Sequence, residues 1–202
     1  MAMKSGKEGL QAPRGSLKVI RKFSDPDNIP PPLIDGGIFR DLIPPRLSDL
    51  ISHPLAICVI TVNAKALGVR LSVIDTSNNE ESLKLHLSTF PDTPQSLHIW
   101  NIQVAEALRQ QGVARSFYQN LAPLARAENF RYITGEQRPQ NRSIFQKLGR
   151  IPYGELSEES KRKVFSKWLT SIDDPDSYME TVSGLSVEFL YEEDKDIMLK
   201  NT

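Results

Sequence analysis

The chain has 202 residues, of which 39% are hydrophobic and 25% charged, and its 25 acidic residues balance its 25 lysines and arginines. This length suits one globular domain, and the neutral net charge argues against a nucleic-acid binder. No apolar run approaches the about 20 residues of a membrane-spanning helix, and a single cysteine excludes an intrachain disulfide and is typical of a reducing, cytoplasmic compartment.

The charges are placed unevenly along the chain. The first 24 residues carry six basic side chains against Glu8, whereas residues 173–202 carry nine acids against two lysines. We expect residues 1–33 to form a flexible, basic, proline-rich arm that joins no sheet or helix, and residues 193–202 to form an acidic tail. The arm is either a solvated end or a docking segment for a protein partner. The asymmetry also leaves a secreted effector open, although the arm lacks the apolar core of a secretory signal.

Residues 34–192 carry the pattern of the folded domain. A short, proline-broken helical pattern at 38–51 precedes runs of alternating or continuous apolar residues. These runs predict strands at 55–62, 67–74, 83–88 and 97–104.

The second half of the domain alternates helices and strands. Apolar residues recur at helical spacing from 113 to 124, and Pro123 predicts a kink or a stop near Ala122. A strand at 131–134, a helix at 141–148, a helix capped by Ser157 and a strand at 185–191 follow. The order predicts a mixed α/β (α+β) domain, in which Trp100 and Trp168 belong to the core.

The junction after the strand at 97–104 has the character of an anion site. It reads Arg109-Gln110-Gln111-Gly112-Val113-Ala114 and opens a helix. The first N–H groups of a helix lack internal partners and carry its positive dipole end, and a glycine lets a ligand approach the backbone. Such a junction suits a pyrophosphate, and an ordinary strand-to-helix turn is the alternative.

Two motifs in this region resemble those of the GCN5-related N-acetyltransferase (GNAT) family. The spacing Arg109-x-x-Gly112-x-Ala114, five residues after Val104, is similar to the family's pyrophosphate-binding signature. The segment RPQNRSIFQKLG at 138–149 is similar to its second conserved block. The resemblance covers a motif core at 97–150 and identifies no individual member.

The resemblance implies a mostly antiparallel central sheet flanked by helices, with splayed central strands that bind acetyl-CoA. The pyrophosphate would lie on the junction and the pantetheine arm along the end of the strand, while a later helix would flank the far side. The residues so implied are Ile102, Gln103, Val104, Arg109, Gln110, Gln111, Gly112, Val113, Ala114, Arg115, Asn141 and Phe145.

The chemistry implied by the resemblance is direct attack of an amine on the thioester, which a nearby base assists. His98 is the first candidate, because it would share a strand face with Trp100 and Ile102 and because the ordinary histidine pKa of about 6.5 suits that task. Glu106 is the second candidate. A packed histidine and a solvated acid are the alternatives. Phe145 stands where the family often has a tyrosine that protonates the leaving thiolate, for which Tyr153 or water would have to substitute.

We therefore expect an acetyl-CoA-dependent N-acetyltransferase that acts on a primary amine, either a protein lysine or N-terminus or a small molecule. The alternative, which Phe145 favours, is a catalytically weak or inactive CoA-binding interaction protein of this fold, with an effector or toxin as a variant. No metal site is expected, because the three histidines and one cysteine are widely spaced. Whether the chain forms a homodimer stays open.

Overall fold

The computed structural model describes residues 16–23, 41–52, 54–62, 66–136, 142–170 and 183–199. Its strands are β1 Ser16–Phe23, β2 Pro54–Val62, β3 Leu67–Asp75, β4 Glu80–Phe90, β5 Thr93–Val104, β6 Tyr132–Glu136, β7 Ile151–Pro152 and β8 Leu185–Phe189. Its helices are α1 Pro45–Leu50, α2 Val113–Ala127, α3 Arg142–Lys147, α4 Glu158–Val164, α5 Lys167–Thr170 and α6 Glu192–Leu199, with 3-10 turns at Glu106–Leu108 and Tyr153–Glu155.

The strands form one sheet in the order β1-β2-β3-β4-β5-β6-β8-β7. Strands β2 to β5 make an antiparallel meander, and β8 runs antiparallel to both β6 and β7. The pairs β1–β2 and β5–β6 are parallel. This mostly antiparallel sheet with flanking helices confirms the expected fold class.

The sheet separates two apolar cores. On one face, alternate residues of β2 to β5 pack against α2, whose Phe117 and Leu121 are buried. On the other face, Tyr132 and Val187 pack against Phe165 and the end of α4. Neighbouring residues of β6 supply both cores, because Ile133 joins the first and Tyr132 the second. Strand β6 is therefore covered on both faces.

Strand β1 corrects the expectation that residues 1–33 join no sheet. Ser16–Phe23 pairs in parallel with β2 over its whole length. The prolines behind that expectation lie outside this segment, at position 13 and from position 26 onward, and Val19, Ile20 and Phe23 favour strand. The boundary of the arm at residue 33 falls outside the described residues. In the expected acidic tail, Glu192–Leu199 forms α6.

The predicted stop of the helix near Ala122 and the predicted burial of Trp168 are wrong. Helix α2 runs through Pro123 to Ala127 without stopping, because Leu121 and Ala125, on either side of the proline, are both buried in the first core. Trp168 is 50% exposed rather than buried, since the apolar segment expected as one helix breaks at Phe165 and resumes as α5. The cap of α4 is as predicted, with the Ser160 N–H donating to Ser157 Oγ at 3.2 Å.

No helix in the described ranges combines the length and apolar character that a membrane span requires.

The turn between β4 and β5 fixes the position of α5. Asp92 Oδ2 accepts hydrogen bonds from the Lys167 backbone N–H at 3.0 Å and from Ser166 Oγ at 3.2 Å. These bonds provide an acceptor for an N–H group at the start of α5. A helix of only four residues has little stability of its own, so this contact helps to hold it in place. Through them the β4–β5 turn positions Trp168, whose ring stacks on Phe90 at a centroid distance of 6.0 Å.

The substitution Asp92→Ala tests this anchor. We expect it to lower the free energy of unfolding by about 1 kcal/mol and to change the tryptophan emission of the folded protein, because Trp168 loses its fixed position. Urea unfolding followed by fluorescence measures both. Asp92→Asn, which keeps an acceptor oxygen, is the control and should retain most of the stability. Unchanged stability and emission in the alanine variant would contradict the role of Asp92.

Candidate functional site

The parallel strands β5 and β6 pair along only part of their length. Ser96 to Ile99 pair with Tyr132 to Gly135, whereas β5 continues to Val104. Within the described ranges, no strand pairs with the β6-facing edge of β5 after Ile99. The pairing that exists is close, because a Cβ on Gly135 would lie 3.0 Å from the Ile99 carbonyl oxygen. The two central strands therefore meet tightly and then separate.

An open cleft of about 450 Å³ lies at this separation. One wall is the backbone and side chains of β5 from Ile99 to Val104, and the others come from helices, from the end of β6 and from the loop after β5. The side chains that close the cleft are Arg109, Tyr118, Glu136 and Phe145. The cleft thus joins the unpaired strand edge to the residues before α2.

The loop that ends the cleft has two residues with left-handed backbone conformation. Gln110 has φ +62 and Gly112, the N-cap of α2, has φ +83. A Cβ on Gly112 would have no atom of the described chain within 4 Å. The backbone conformation therefore favours glycine at this position, and the space beside it is open.

The same loop presents a row of backbone donors. Among the residues that the structure describes, none accepts a hydrogen bond from the N–H groups of residues 110–115. The first intrahelical bond of α2 is donated by Ser116, to the Gly112 carbonyl at 2.9 Å. Unsatisfied N–H groups at a helix start bind anions, so this loop is chemically suited to a phosphate group.

Helix α1 holds this loop in place, which the sequence pattern did not predict. Arg46 Nε donates to the Gln111 carbonyl at 3.2 Å, and the Arg46 backbone N–H donates to Ser116 Oγ at 3.3 Å. Within the loop, Gln111 Nε2 donates to the Ala107 carbonyl at 2.8 Å, and Arg109 Nε donates to the Val104 carbonyl at 3.4 Å. The loop is therefore ordered by contacts to its carbonyl groups, which leaves its N–H groups available.

A β-bulge at Trp100 changes which residues of β5 share a face. His86 of β4 is opposite Asn101 and Leu87 is opposite Ile99, so Trp100 has no partner on β4. Ile102 consequently packs against the first core, as Ile99 does, and His98 lies with Trp100 on the other side. The expectation that His98, Trp100 and Ile102 share one face is wrong for Ile102, because it assumed uninterrupted alternation.

His98 is buried in an aromatic environment. It is 2% exposed, its Nδ1 is 2.9 Å from Thr134 Oγ1, and its ring lies edge-on to Trp100 at 4.7 Å. Burial lowers the pKa of His98 to about 3, with smaller effects from the positive charge of Arg150 and from His86. The imidazole is therefore neutral at pH 7 and a weak base, which disfavours the catalytic role predicted for it.

The low pKa of His98 makes folding stability depend on pH. Because the unfolded chain has the ordinary pKa of 6.5, it binds the proton more readily than the folded chain between pH 6.5 and about pH 3, so acid favours unfolding. We expect the free energy of unfolding to fall by about 2 kcal/mol between pH 7 and pH 5 through this group, and this loss to vanish in His98→Gln. Urea unfolding at both pH values measures it. An equal pH dependence in the variant would contradict the assigned pKa.

The remaining predicted site residues lie in the cleft, in the loop and first turn of α2, or on the 3-10 turn after β5, apart from one residue outside the described ranges. Ile102, Gln103, Val104, Arg109 and Phe145 line the cleft, and Gln110 to Ala114 form the loop and the start of α2. Glu106 is exposed on the 3-10 turn after β5, and Arg115 is exposed on the first turn of α2. Asn141 lies outside the described residues.

The structure adds Tyr118 and Arg150 to the cleft region. Tyr118 lines the cleft, and its ring contacts Phe145 edge-on at 5.4 Å. The Arg150 guanidinium lies 5.0 Å from the Phe145 ring centroid and 5.5 Å from that of Tyr118. Burial raises the pKa of Tyr118, and Arg150 opposes that rise, so the hydroxyl is protonated at neutral pH. In the helical pattern, Tyr118 occupies a position at the edge of the apolar face. The pattern therefore gave no sign that Tyr118 lines a cleft.

Tyr153, the sequence-based substitute for the missing tyrosine, has another environment. Its ring packs edge-on against Phe165 at 5.2 Å and below the Lys161 ammonium at 4.8 Å. It does not line the cleft.

No family model matches the chain, and no curated protein matches it in sequence. Solved structures that are similar to it include Tetrahymena GCN5, with 10% identity and a TM-score of 0.44 over 64% of this chain and 71% of that chain. A GNAT-family acetyltransferase from Staphylococcus aureus has 8% identity and a TM-score of 0.41 over 61% and 68%. A GNAT-family N-acetyltransferase from Escherichia coli, solved in complex with CoA, has 15% identity and a TM-score of 0.42 over 65% and 63%. The chain resembles GNAT acetyltransferases in fold, and no individual member is identified.

Proposed function

We propose that the protein is an acetyl-CoA-dependent N-acetyltransferase that acts on a primary amine. The observation that carries this assignment is the connection of an unpaired strand edge, Ile102 to Val104, with a loop of available backbone N–H groups through one cleft. A pantetheine arm carries amide groups that can pair with a strand edge, and a pyrophosphate suits the N–H groups before α2. The strand edge would therefore bind the pantetheine end of acetyl-CoA, and the loop would bind its pyrophosphate.

The residues of the cleft fit this ligand in shape and charge. The open space over Gly112 lets a phosphate approach the backbone. Arg109 and Arg115 supply positive charge on either side of that glycine, while the Ile102 to Val104 backbone would orient the arm. Asn141 and Phe145 would flank its far side, as the motif resemblance implies.

Bound acetyl-CoA supplies an activated acyl group. During the transfer, one proton has to be removed from the amine and one has to be donated to the leaving thiolate. The base that relieves the attacking amine of its proton must reach the cleft or a cavity beside it. Glu106 and His98 stay predictions for this role. The burial and low pKa of His98 favour instead a part in positioning Trp100, while Glu106 is exposed beyond the end of β5.

Tyr118 is the group best placed to protonate the leaving thiolate. It is the tyrosine that lines the described cleft, and it contacts the phenylalanine that occupies the position usual for a tyrosine in the resembled family. Its raised pKa keeps the hydroxyl protonated at neutral pH, so that a proton is available for donation. Phe145 therefore does not by itself remove the acid from the site.

The alternative is a protein of this fold that binds CoA without efficient turnover and works through partners. Phe145 and the weak base at His98 favour it. Binding of acetyl-CoA without acetyl transfer to any amine would select this alternative.

Acetyl-CoA should raise the melting temperature of the protein by several degrees at ligand concentrations well above its Kd. Gly112→Leu should abolish this rise, because the new side chain fills the space assigned to the pyrophosphate. Gly149→Leu is the matched control: Gly149 is also left-handed, at φ +76, and also open, so it carries the same backbone strain of about 1–2 kcal/mol outside the loop. Thermal denaturation with and without ligand measures the difference.

Two results would count against this assignment. The absence of any rise in the unsubstituted protein at millimolar acetyl-CoA would remove both CoA-dependent functions. If acetyl-CoA raised the melting temperature of Gly112→Leu as much as that of the unsubstituted protein, the pyrophosphate could not bind at this loop.

Tyr118→Phe should lower kcat for acetyl transfer by about tenfold or more and leave the acetyl-CoA-induced rise in melting temperature unchanged, because only the hydroxyl is lost. Tyr153→Phe, which changes a tyrosine away from the cleft, is the control and should leave kcat as it was. Steady-state kinetics with saturating acetyl-CoA measures both. An unchanged kcat in Tyr118→Phe would indicate that water, and not Tyr118, protonates the leaving thiolate.

A further inference from the structure

A second cavity, of about 340 Å³, lies on the sheet face opposite α2. Its floor is formed by β3, β4 and β5, and α5 contributes to its rim. Six of its lining side chains are charged, polar or aromatic and could contact a ligand: Arg70, His86, Ser88, Phe90, Trp100 and Trp168. The acetyl-CoA cleft does not account for this cavity.

The aromatic side chains of this cavity form fixed walls. Trp100 and Trp168 meet edge-on at 5.4 Å, and Trp168 stacks on Phe90 at 6.0 Å. Trp100 is held by a hydrogen bond from its Nε1 to Ser88 Oγ at 3.0 Å, and Trp168 stands on the short helix anchored by Asp92. Half-exposed Trp168 offers an aromatic face to a flat, apolar ligand.

The charge of the cavity is positive. Arg70 is exposed, and no carboxylate of the described chain pairs with it. Among the residues that the structure describes, no aspartate or glutamate lines the cavity. Partial burial and the neighbouring Arg70 lower the pKa of His86, so its imidazole is neutral at pH 7. A polycationic ligand would meet an unpaired guanidinium here, whereas a carboxylate would be bound by it.

Trp100 lines both cavities. The bulge places this residue, without a partner on β4, where β5 leaves β6. His86 stacks on the Trp100 ring at 6.0 Å from the second cavity. A molecule held in the aromatic cavity would therefore contact a residue that also lines the cleft, and the histidine on the wall of that cavity is His86.

We propose that this aromatic cavity is the acceptor site, and that the acceptor is a small aromatic amine that carries a carboxylate. This inference rests on the proposed acetyl transfer. The ring would lie against Trp100 and Trp168, and the carboxylate would pair with Arg70. The amine nitrogen forms a bond to the acetyl carbon as the carbon–sulfur bond breaks. His86 accepts the amine proton, and the thiolate leaves with the bonding electron pair and receives a proton from Tyr118 or water.

Binding can be measured without acetyl-CoA. The chain has two tryptophans, and both line this cavity, so an occupant should change the tryptophan emission. The probes are L-phenylalanine and 4-(aminomethyl)benzoate, compared with phenethylamine and benzylamine, which lack the carboxylate, and with spermidine. We expect saturable changes with the two carboxylates, affinities weaker by about tenfold or more without the carboxylate, and no change with spermidine. No response to either carboxylate at millimolar concentration would overturn the assignment, as would tighter binding of spermidine.

Two variants locate the bound probe. Arg70→Gln should weaken binding of L-phenylalanine by about tenfold or more and leave phenethylamine unaffected. Gly68→Leu should fill the cavity, because a Cβ on Gly68 would lie at ordinary contact distance, 3.7 Å from Ser88 Oγ and 3.8 Å from His86 Nε2. Gly154→Leu adds the same side chain in open space away from this cavity and is the control. Equal binding of L-phenylalanine in Gly68→Leu and Gly154→Leu would overturn this site.

Kinetics separates this inference from the proposed function on which it rests. Gly68→Leu should lose acetyl transfer to 4-(aminomethyl)benzoate while it keeps the acetyl-CoA-induced rise in melting temperature, and His86→Gln should lower kcat without changing the Kd of the acceptor. If acetyl-CoA causes no rise, the proposed function fails even where the cavity binds its probes. If transfer occurs and Gly68→Leu leaves it unchanged, only the acceptor site fails.

Discussion

The separation of β5 from β6 after Ile99 is the constraint on which the rest of the site depends. Backbone N–H and C=O groups must be paired or solvated, and the separation leaves the β6-facing edge of Ile102 to Val104 toward a cleft. Gly135 allows the tight contact that precedes the separation. The loop that begins after Val104 continues the same row of available polar groups into α2. A ligand with amides at one end and phosphates at the other can satisfy both.

The bulge at Trp100 lets one strand serve two cavities. Without the extra residue, the apolar side chains after Asn101 would point away from the first core, and that core would lose Ile102 and Val104. With it, the strand keeps its apolar contacts, and Trp100 lines both the cleft beside β5 and the aromatic cavity. The buried pair of His98 and Thr134 supports this ring from below. The position of His98 is thus explained by support of Trp100.

The sequence allowed prediction of those parts of the molecule that depend on local patterns. The strands of the meander, helix α2 and the loop around Gly112 follow from periodicity, turn residues and motif spacing. The bulge, the break after Val164 and the pairing of Ser16–Phe23 depend on contacts between distant segments, which alternation alone does not encode. For the same reason alternation alone does not distinguish His98 from His86. Both occur in alternating strands, and only the folded chain shows that one is enclosed and the other lines a cavity.

Arg150 shows how the chain accommodates a charge beneath this site. Its side chain is 1% exposed and lies 3.9 Å from Glu188, and its Nε and Nη2 have no hydrogen-bond partner among the described residues. A buried guanidinium keeps its proton, so this charge persists. Burial raises the pKa of Glu188 and Arg150 lowers it, while the rings of Phe145 and Tyr118 lie near the same cation. An apolar residue would avoid the cost of desolvation. What the arginine adds is a fixed positive field at the phenolic group that we assign to proton donation.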